Sequence, residues 1–329
     1  MNNLSPLIEP SLERNKTQSQ FCRDVINGLS NMPKSLLSKY FYDDQGDRLF
    51  QQIMEMPEYY LTRAEHDIFN SRTAELAAAL QVDKGAFDLI ELGAGDASKS
   101  KILLKHLVEE HINFTYCPID ISGHILQELE HNLSHEIPDL AIRPLQGEYF
   151  EMLEKATSSS HRRKIILFLG GNIGNMELEQ AYSFCTELRG RLNPGDLLLI
   201  GFDLKKNPHQ ILSAYNDKDG ITAAFNLNLL TRINRELDGN LNLTKFSHYQ
   251  NYDPVTGACR SYLVSLETQQ AVICGNEIHF STNELIHMEV SQKFSTEQIA
   301  DLALRSGFIN IQYINDTNNW FTDAIWIAK

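Results

Sequence analysis

Between Phe87 and Asp203 short apolar runs alternate with amphipathic stretches. The runs are Asp88–Leu92, Phe114–Ile119, Ala141–Ile142, Lys164–Leu169 and Asp196–Phe202. Unbroken apolar runs separated by helical spacers belong to strands buried on both faces of a parallel sheet. The spacers Lys99–Glu110, Gly123–His135 and Leu178–Leu192 repeat apolar residues every three or four positions and are predicted helices, the last closed by Asn193-Pro194-Gly195. After Asp203 the rhythm changes. An amphipathic helix over Thr222–Leu237 ends at Asp238-Gly239-Asn240, and Lys245–Val255, Ala258–Leu266 and Gln269–His279 then alternate apolar and polar residues around turns at Asp253-Pro254 and Cys274-Gly275-Asn276. That alternation predicts antiparallel sheet. A helix over Thr296–Ser306, stopped by Gly307, and strands at Ile309–Ile314 and Ala324–Ala328 restore the first pattern. The expectation is an α/β chain with a doubly wound domain of residues 62–203 plus 293–329, and a second, smaller α+β domain of residues 1–61 plus 204–292.

Composition narrows the class. The 329 residues carry 29 Lys and Arg against 43 Asp and Glu, a formal charge of −14, and Arg162-Arg163-Lys164 is the one short basic run. Such a surface repels phosphates and anionic lipid, so neither nucleic acid nor membrane is expected as a partner. No stretch approaches the ~18 apolar residues of a membrane helix and residues 1–14 lack a signal-peptide core, which places the protein in the cytoplasm. The five cysteines are scattered and form no Cys-x-x-Cys pair, so all are expected as reduced thiols. His131 and His135 are the only histidines four apart, without the glutamate of a zinc-protease motif, and no metal site is expected.

The chemistry gathers at predicted strand ends. Glu91-Leu-Gly93-Ala-Gly95-Asp-Ala-Ser98-Lys99 follows the first strand and opens a helix, so glycines at 93 and 95 permit a tight turn and close backbone approach to a ligand. Ser98 stands where a dinucleotide fingerprint has its third glycine. The second strand ends in Asp120, beside that turn, where a carboxylate can accept both hydroxyls of a ribose. Past the third, Glu148 and Tyr149 can offer a carboxylate and a ring to adenine, and the fourth runs into the Gly170-Gly-Asn-Ile-Gly-Asn175 loop, suited to a substrate ammonium and carboxylate.

Together with these, Tyr40-Phe-Tyr-Asp-Asp-Gln-Gly-Asp-Arg-Leu-Phe50, Pro57-Glu-Tyr-Tyr-Leu-Thr-Arg-Ala-Glu65, Phe168–Asn175, Thr222–Asn226 with Asn234–Asp238, and Glu289-Val-Ser-Gln-Lys-Phe294 resemble the histidine-specific Nα-methyltransferases of ergothioneine biosynthesis. The resemblance runs from about residue 34 to the end. It implies a Rossmann-like S-adenosylmethionine-dependent methyltransferase domain with a second, smaller α+β substrate-binding domain, acting as a monomer. The implied reaction is repeated methyl transfer to the α-amino group of histidine, giving the betaine hercynine. By the resemblance Gly93, Lys99, Asp120, Glu148 and Tyr149 bind S-adenosylmethionine. Asn175 and Tyr215 bind the substrate carboxylate, Gly170 and Tyr42 address its amino group, and Tyr59, Glu289 and Ser291 read the imidazole. The residue types make sense independently: alternate positions put 289 and 291 on one strand face, and tyrosine rings suit a product that is a fixed cation. Three positions depart from the family pattern, Ser261 where a methionine is common and the pair Glu148-Tyr149 where Asp-Phe is usual.

Other readings compete. The same chemistry could serve tryptophan, tyrosine or a thiolated histidine, with Ser261 keeping that open. A cofactor-binding regulator without turnover would have damaged glycine or Asn175 motifs, and both are intact. A nicotinamide dehydrogenase fits less well, lacking the third glycine and a marked acid partner.

Overall fold

The computed structural model describes residues 9–329, with side chains from Gln20 onward. Its backbone divides into two compact units: residues 60–206 with 291–329, and residues through Tyr59 with Asn207–Val290.

The larger unit is built on a seven-stranded sheet. Numbering only its strands, these are β1 (Phe87–Leu92), β2 (Phe114–Asp120), β3 (Leu145–Gln146), β4 (Arg163–Phe168), β5 (Leu197–Asp203), β6 (Phe308–Asn315) and β7 (Phe321–Ala328). Their spatial order is β3-β2-β1-β4-β5-β7-β6. β1 to β5 are parallel, and β7 runs antiparallel to both β5 and β6. Strand order reverses at β1, so the carboxyl ends of β1 and β4 open the crevice where doubly wound sheets bind ligands. Alternate side chains feed two cores. Leu89, Ile165 and Leu167 pack one face under helices Leu61–Ser71 and Ser100–Glu109. Ile90, Ile166 and Phe168 pack the other under Tyr149–Ser158, Leu178–Gly190 and Thr296–Arg305. Gly307, at φ +86°, stops the last helix as its position requires. The short run at 141–142 is not a ladder strand. Ile142 makes a single bridge to Tyr116, and β3 forms three residues later, because two apolar residues between polar neighbours supply too little to hold an edge strand.

In the smaller unit, strands Phe246–Tyr252 and Ala258–Ser265 pair antiparallel, and Gln269–Ile273 pairs with Asn276–Phe280 as a separate hairpin. Strand Leu285–Gln292, whose apolar spacing alone does not mark it, lies beside Ala258–Ser265 and takes Lys34–Ser35 in parallel on its other side. Helix Glu9–Ser30 buries Phe21, Val25 and Leu29, spaced four apart, into a core shared with Leu229, Ile233 and Ile286. That packing overturns one expectation. Cys22 on this helix and Cys274 in the hairpin turn form a disulfide, their Cα atoms 6.5 Å apart across 252 residues of sequence, a proximity that spacing cannot reveal. Cys117, Cys185 and Cys259 are buried thiols. Among the described residues no helix is long and apolar enough to cross a membrane, and no group of His, Cys, Asp or Glu could hold a metal ion.

Candidate active site

In the larger unit the turn after β1 holds Gly93 at φ +71° and Gly95 at φ +53°, left-handed conformations that favour glycine. A Cβ on Gly93 would stand 2.5 Å from the Tyr149 hydroxyl, whereas one on Gly95 would meet nothing within 4 Å. The Asp120 carboxylate, at the end of β2, accepts the N–H of Ser122 at 2.9 Å and lies 3.4 Å from the Gly95 N–H. Glu148 is the N-cap of helix Tyr149–Ser158, which the apolar spacing does not predict. Burial raises the Tyr149 phenol above its ordinary pKa, with the Asp120 and Glu148 charges adding to it. Four residues assigned to the cofactor thus stand together: a turn with open backbone, two carboxylates and a ring. This cradle fits an adenosyl group, whose ribose needs acceptors and whose base needs a ring face.

Lys99, the fifth, is the N-cap of helix Ser100–Glu109, and its ammonium pairs with Glu65. Burial disfavours the Lys99 charge, but the Glu65 carboxylate, followed by the charges of Asp323 and Glu91, favours it and the pKa is raised. The same Glu65 accepts the Gly170 N–H. Gly170 and Gly171, at φ +80° and +66°, turn the chain out of β4 into a short helix Asn172–Asn175. A Cβ on Gly174 would stand 2.9 Å from the Gln292 carbonyl, so this loop lies against the chain beside Ser291. The Lys293 ammonium, fully buried, donates to Ser291 Oγ at 2.6 Å and pairs with Asp203 at 2.7 Å. Asp203 also accepts the Tyr60 hydroxyl and the Lys206 ammonium.

The smaller unit gathers the aromatic candidates. Tyr59 and Tyr215 meet edge to face at 6.0 Å. Tyr42 packs against Phe50 and Phe225 at 5.6 and 5.8 Å, and Phe50 reaches Tyr59 at 6.5 Å. Tyr42 keeps 43% of its surface accessible, yet the crowding of protein around its hydroxyl raises the phenol well above its ordinary pKa, with the Glu289 charge adding to it. Glu289 is half-buried between Met288 and Val290, which face the core. Asp43 explains why the Phe-Tyr-Asp motif is so particular. As N-cap of helix Asp44–Glu55 it accepts the Gly46 N–H at 2.8 Å, the Asn228 amide at 2.7 Å and the Arg235 guanidinium at 2.6 Å, bracing Tyr42 against helix Ile221–Glu236. A Cβ on Gly46 would overlap the Phe41 carbonyl. Ser261 is buried and donates to Asn226 Oδ1 at 2.8 Å, with His248 Nε2 at 2.9 Å.

Sequence reasoning overlooked Glu65, Lys293, Asp203 and Asp323. Glu65 and Lys293 stand inside the quoted motifs, and Asp323 interrupts the apolar run of β7. A charge inside an otherwise apolar strand was the available signal.

The sheet order, the glycine turn and the acidic end of β2 define an α/β protein whose carboxyl edge fits an adenosyl group. Residues 21–328 match the family of S-adenosylmethionine-dependent histidine-specific methyltransferases. Histidine N-alpha-methyltransferase of Mycolicibacterium smegmatis is 34% identical over 303 residues, covering 92% of this chain and 90% of that protein. Ergothioneine biosynthesis protein 1 of Schizosaccharomyces pombe is 30% identical over 284 residues, covering 84% of this chain and 36% of that protein. The 4-dimethylallyltryptophan N-methyltransferase easF of Claviceps fusiformis is 30% identical over 204 residues, 58% of this chain and 56% of that one. The chain belongs to the histidine-specific, S-adenosylmethionine-dependent methyltransferase family.

Proposed function

We propose that the protein transfers methyl groups from S-adenosylmethionine to the α-amino group of L-histidine, up to three times, giving hercynine. The observation that carries this reading is the family match over residues 21–328. The cofactor supplies an electrophilic methyl on a sulfonium. Gly93, Lys99, Asp120, Glu148 and Tyr149 hold it, with Asp120 on the ribose and Glu148 and Tyr149 on the adenine. Asn175 and Tyr215 take the histidine carboxylate, Gly170 and Tyr42 the amine, and Tyr59, Glu289 and Ser291 the ring.

Several features support these roles. An amine must shed a proton before each transfer, and a phenol held protonated at neutral pH orients the nitrogen while water takes that proton. Because an ammonium only donates, the Lys293 bond uses an acceptor lone pair of Ser291. That favours Ser291 as a donor to one imidazole nitrogen while Glu289 accepts from the other. The fixed positive charge of hercynine is met by aromatic faces. We place the enzyme in the cytoplasm as a monomer acting on a free amino acid, a reading the formal charge of −14 supports by disfavouring nucleic acid and anionic membrane.

Mass spectrometry of the protein incubated with S-adenosylmethionine and a panel of amino acids tests it. One, two and three methyl additions to histidine are expected. Addition to tryptophan or tyrosine in preference to histidine would overturn the substrate, and no addition to any would overturn the activity.

A further inference from the structure

Three buried carboxylates act electrostatically on one lysine in the larger unit, and the roles proposed above use none of the three. Glu65, on helix Leu61–Ser71, is 1% exposed. Its two oxygens accept the Gly170 N–H at 2.8 and 2.9 Å, and Oε2 also takes the Lys99 ammonium. Gly201 on β5 makes the space, since a Cβ there would stand 2.5 Å from Glu65 Oε1. Asp323 on β7 is fully buried, and neither of its oxygens has a hydrogen-bond partner among the described residues. Glu91, in β1, accepts the Tyr116 hydroxyl at 2.5 Å.

One lysine balances one of the three carboxylates, and the hydrogen bonds decide which. Glu65 receives both the backbone N–H and the ammonium, whereas Asp323 receives no donor, so the charge that answers Lys99 lies on Glu65 and Asp323 keeps its proton. Burial, followed by the Glu65 charge, raises the Asp323 carboxyl well above the usual range in agreement with this. Tying a lysine and a loop amide to a single buried carboxylate is costly unless the arrangement has a use, because desolvating the charges consumes much of what their attraction returns. The use lies in what the two donors belong to: Lys99 stands at the glycine turn, and Gly170 opens the loop that addresses the amine.

We infer that Glu65 is a positioning residue of the methyl-transfer site, a single carboxylate that fixes Lys99 on the cofactor side and the Gly170 backbone on the amine side relative to one another. The inference rests on the methyltransferase reading and adds to it a residue that touches neither reactant. In-line transfer tolerates little error in the approach of nitrogen to methyl, so a carboxylate shared between the two holders sets the distance that matters.

Glu65→Gln tests it, because the amide oxygen can still accept the Gly170 N–H while the pairing with Lys99 is lost. The variant should bind S-adenosylhomocysteine roughly tenfold more weakly by calorimetry and lose roughly 10²-fold in kcat/KM for S-adenosylmethionine. In a Lys99→Met background the same change should cost no more than about threefold, since the partner it acts through is gone. Equal losses in both backgrounds, or no loss in the wild-type background, would overturn the inference. If Glu65→Gln fails to fold, Gly201→Ala keeps the charge but displaces the carboxylate, and an unchanged S-adenosylhomocysteine affinity in that variant would overturn it equally. Wild-type protein that binds S-adenosylhomocysteine but adds no methyl to histidine would fail the substrate reading alone, and the calorimetric comparison would still decide the role of Glu65.

Discussion

The two units meet their ligand chemistry by different means. In the larger, the functional groups follow from topology: strands end at one edge, glycines at positive φ bare the backbone there, and Asp120 arrives because β2 lies beside β1. In the smaller, no sheet edge does this work. Tyr42, Tyr59 and Tyr215 are carried on helix ends and connecting segments, held by ring contacts of 5.6 to 6.5 Å and by the Asp43 brace. On the roles proposed above, the cofactor side rests on the fold, while choice of amino acid rests on particular side chains. Substitutions should separate the two: changes in the smaller unit should alter which amino acid reacts, and changes at the sheet edge should alter cofactor affinity for every substrate alike.

The largest effect is expected at Glu289. If it accepts an imidazole N–H, Glu289→Ala leaves the ring without its acceptor and should lower kcat/KM for histidine by roughly 10²-fold or more. Turnover of tryptophan, measured in the same assay, should fall far less. Equal losses on both would make Glu289 a structural residue and dissolve the distinction between the units.

Asp120→Ala probes the other side of the comparison. Removing a carboxylate that serves a ribose leaves hydroxyls unpaired, a loss of about 1–3 kcal/mol, so S-adenosylhomocysteine should bind roughly 10- to 100-fold more weakly by calorimetry. KM values for histidine and for any poorer amino acid should shift by a common factor. A change in their ratio would show that the edge also takes part in substrate choice.

How far each unit could be read from sequence follows the same division. Buried strands such as Lys164–Leu169 announce themselves through unbroken apolar runs, and Gly93 and Asp120 follow from strand ends, so the sheet and most of its edge were legible. Tyr42 and Tyr215 have no periodic signature and are candidates only through the family resemblance. Glu65 and Lys293 were visible in the motifs but lacked a reason, since their partners lie far off in sequence: Gly170 is 105 residues from Glu65. The Cys22–Cys274 bond was hidden for the same reason. Contacts made across long separations are what a one-dimensional pattern cannot carry.

A third test uses pH. Burial pushes the Glu91 carboxyl up to about 7 against the Tyr116 hydrogen bond, which opposes the rise. The unfolded chain ionises this group near its ordinary value of about 4.5 while the folded protein holds the proton, so between those values the native state binds more protons and loses stability as pH rises. Glu91→Gln removes that dependence. Its melting temperature relative to wild type should climb between pH 5 and pH 8, by the equivalent of up to about 3 kcal/mol. A constant difference across that range would show that Glu91 ionises alike in both states.

The smallest effect, and the one that reaches furthest into the smaller unit, is expected at Tyr42. Its phenol is held well above the ordinary pKa by the crowding around it and by the Glu289 charge, so at neutral pH it keeps its proton and is a poor general base. What it can do is hydrogen-bond the amine and turn the lone pair toward the methyl donor. A primary amine offers hydrogens to that oxygen, whereas a dimethylated nitrogen has none after losing its last proton and presents methyl groups, which a ring edge accommodates. Tyr42→Phe keeps the ring, together with its contacts to Phe50 and Phe225, and removes only the hydroxyl. Single-turnover transfer should therefore slow by roughly tenfold with histidine, the value of one lost hydrogen bond in the transition state, and by less with monomethylhistidine and least with dimethylhistidine. A uniform loss across the three would mean that the hydroxyl acts on a feature they share, the departing proton, and Tyr42 would then be the base.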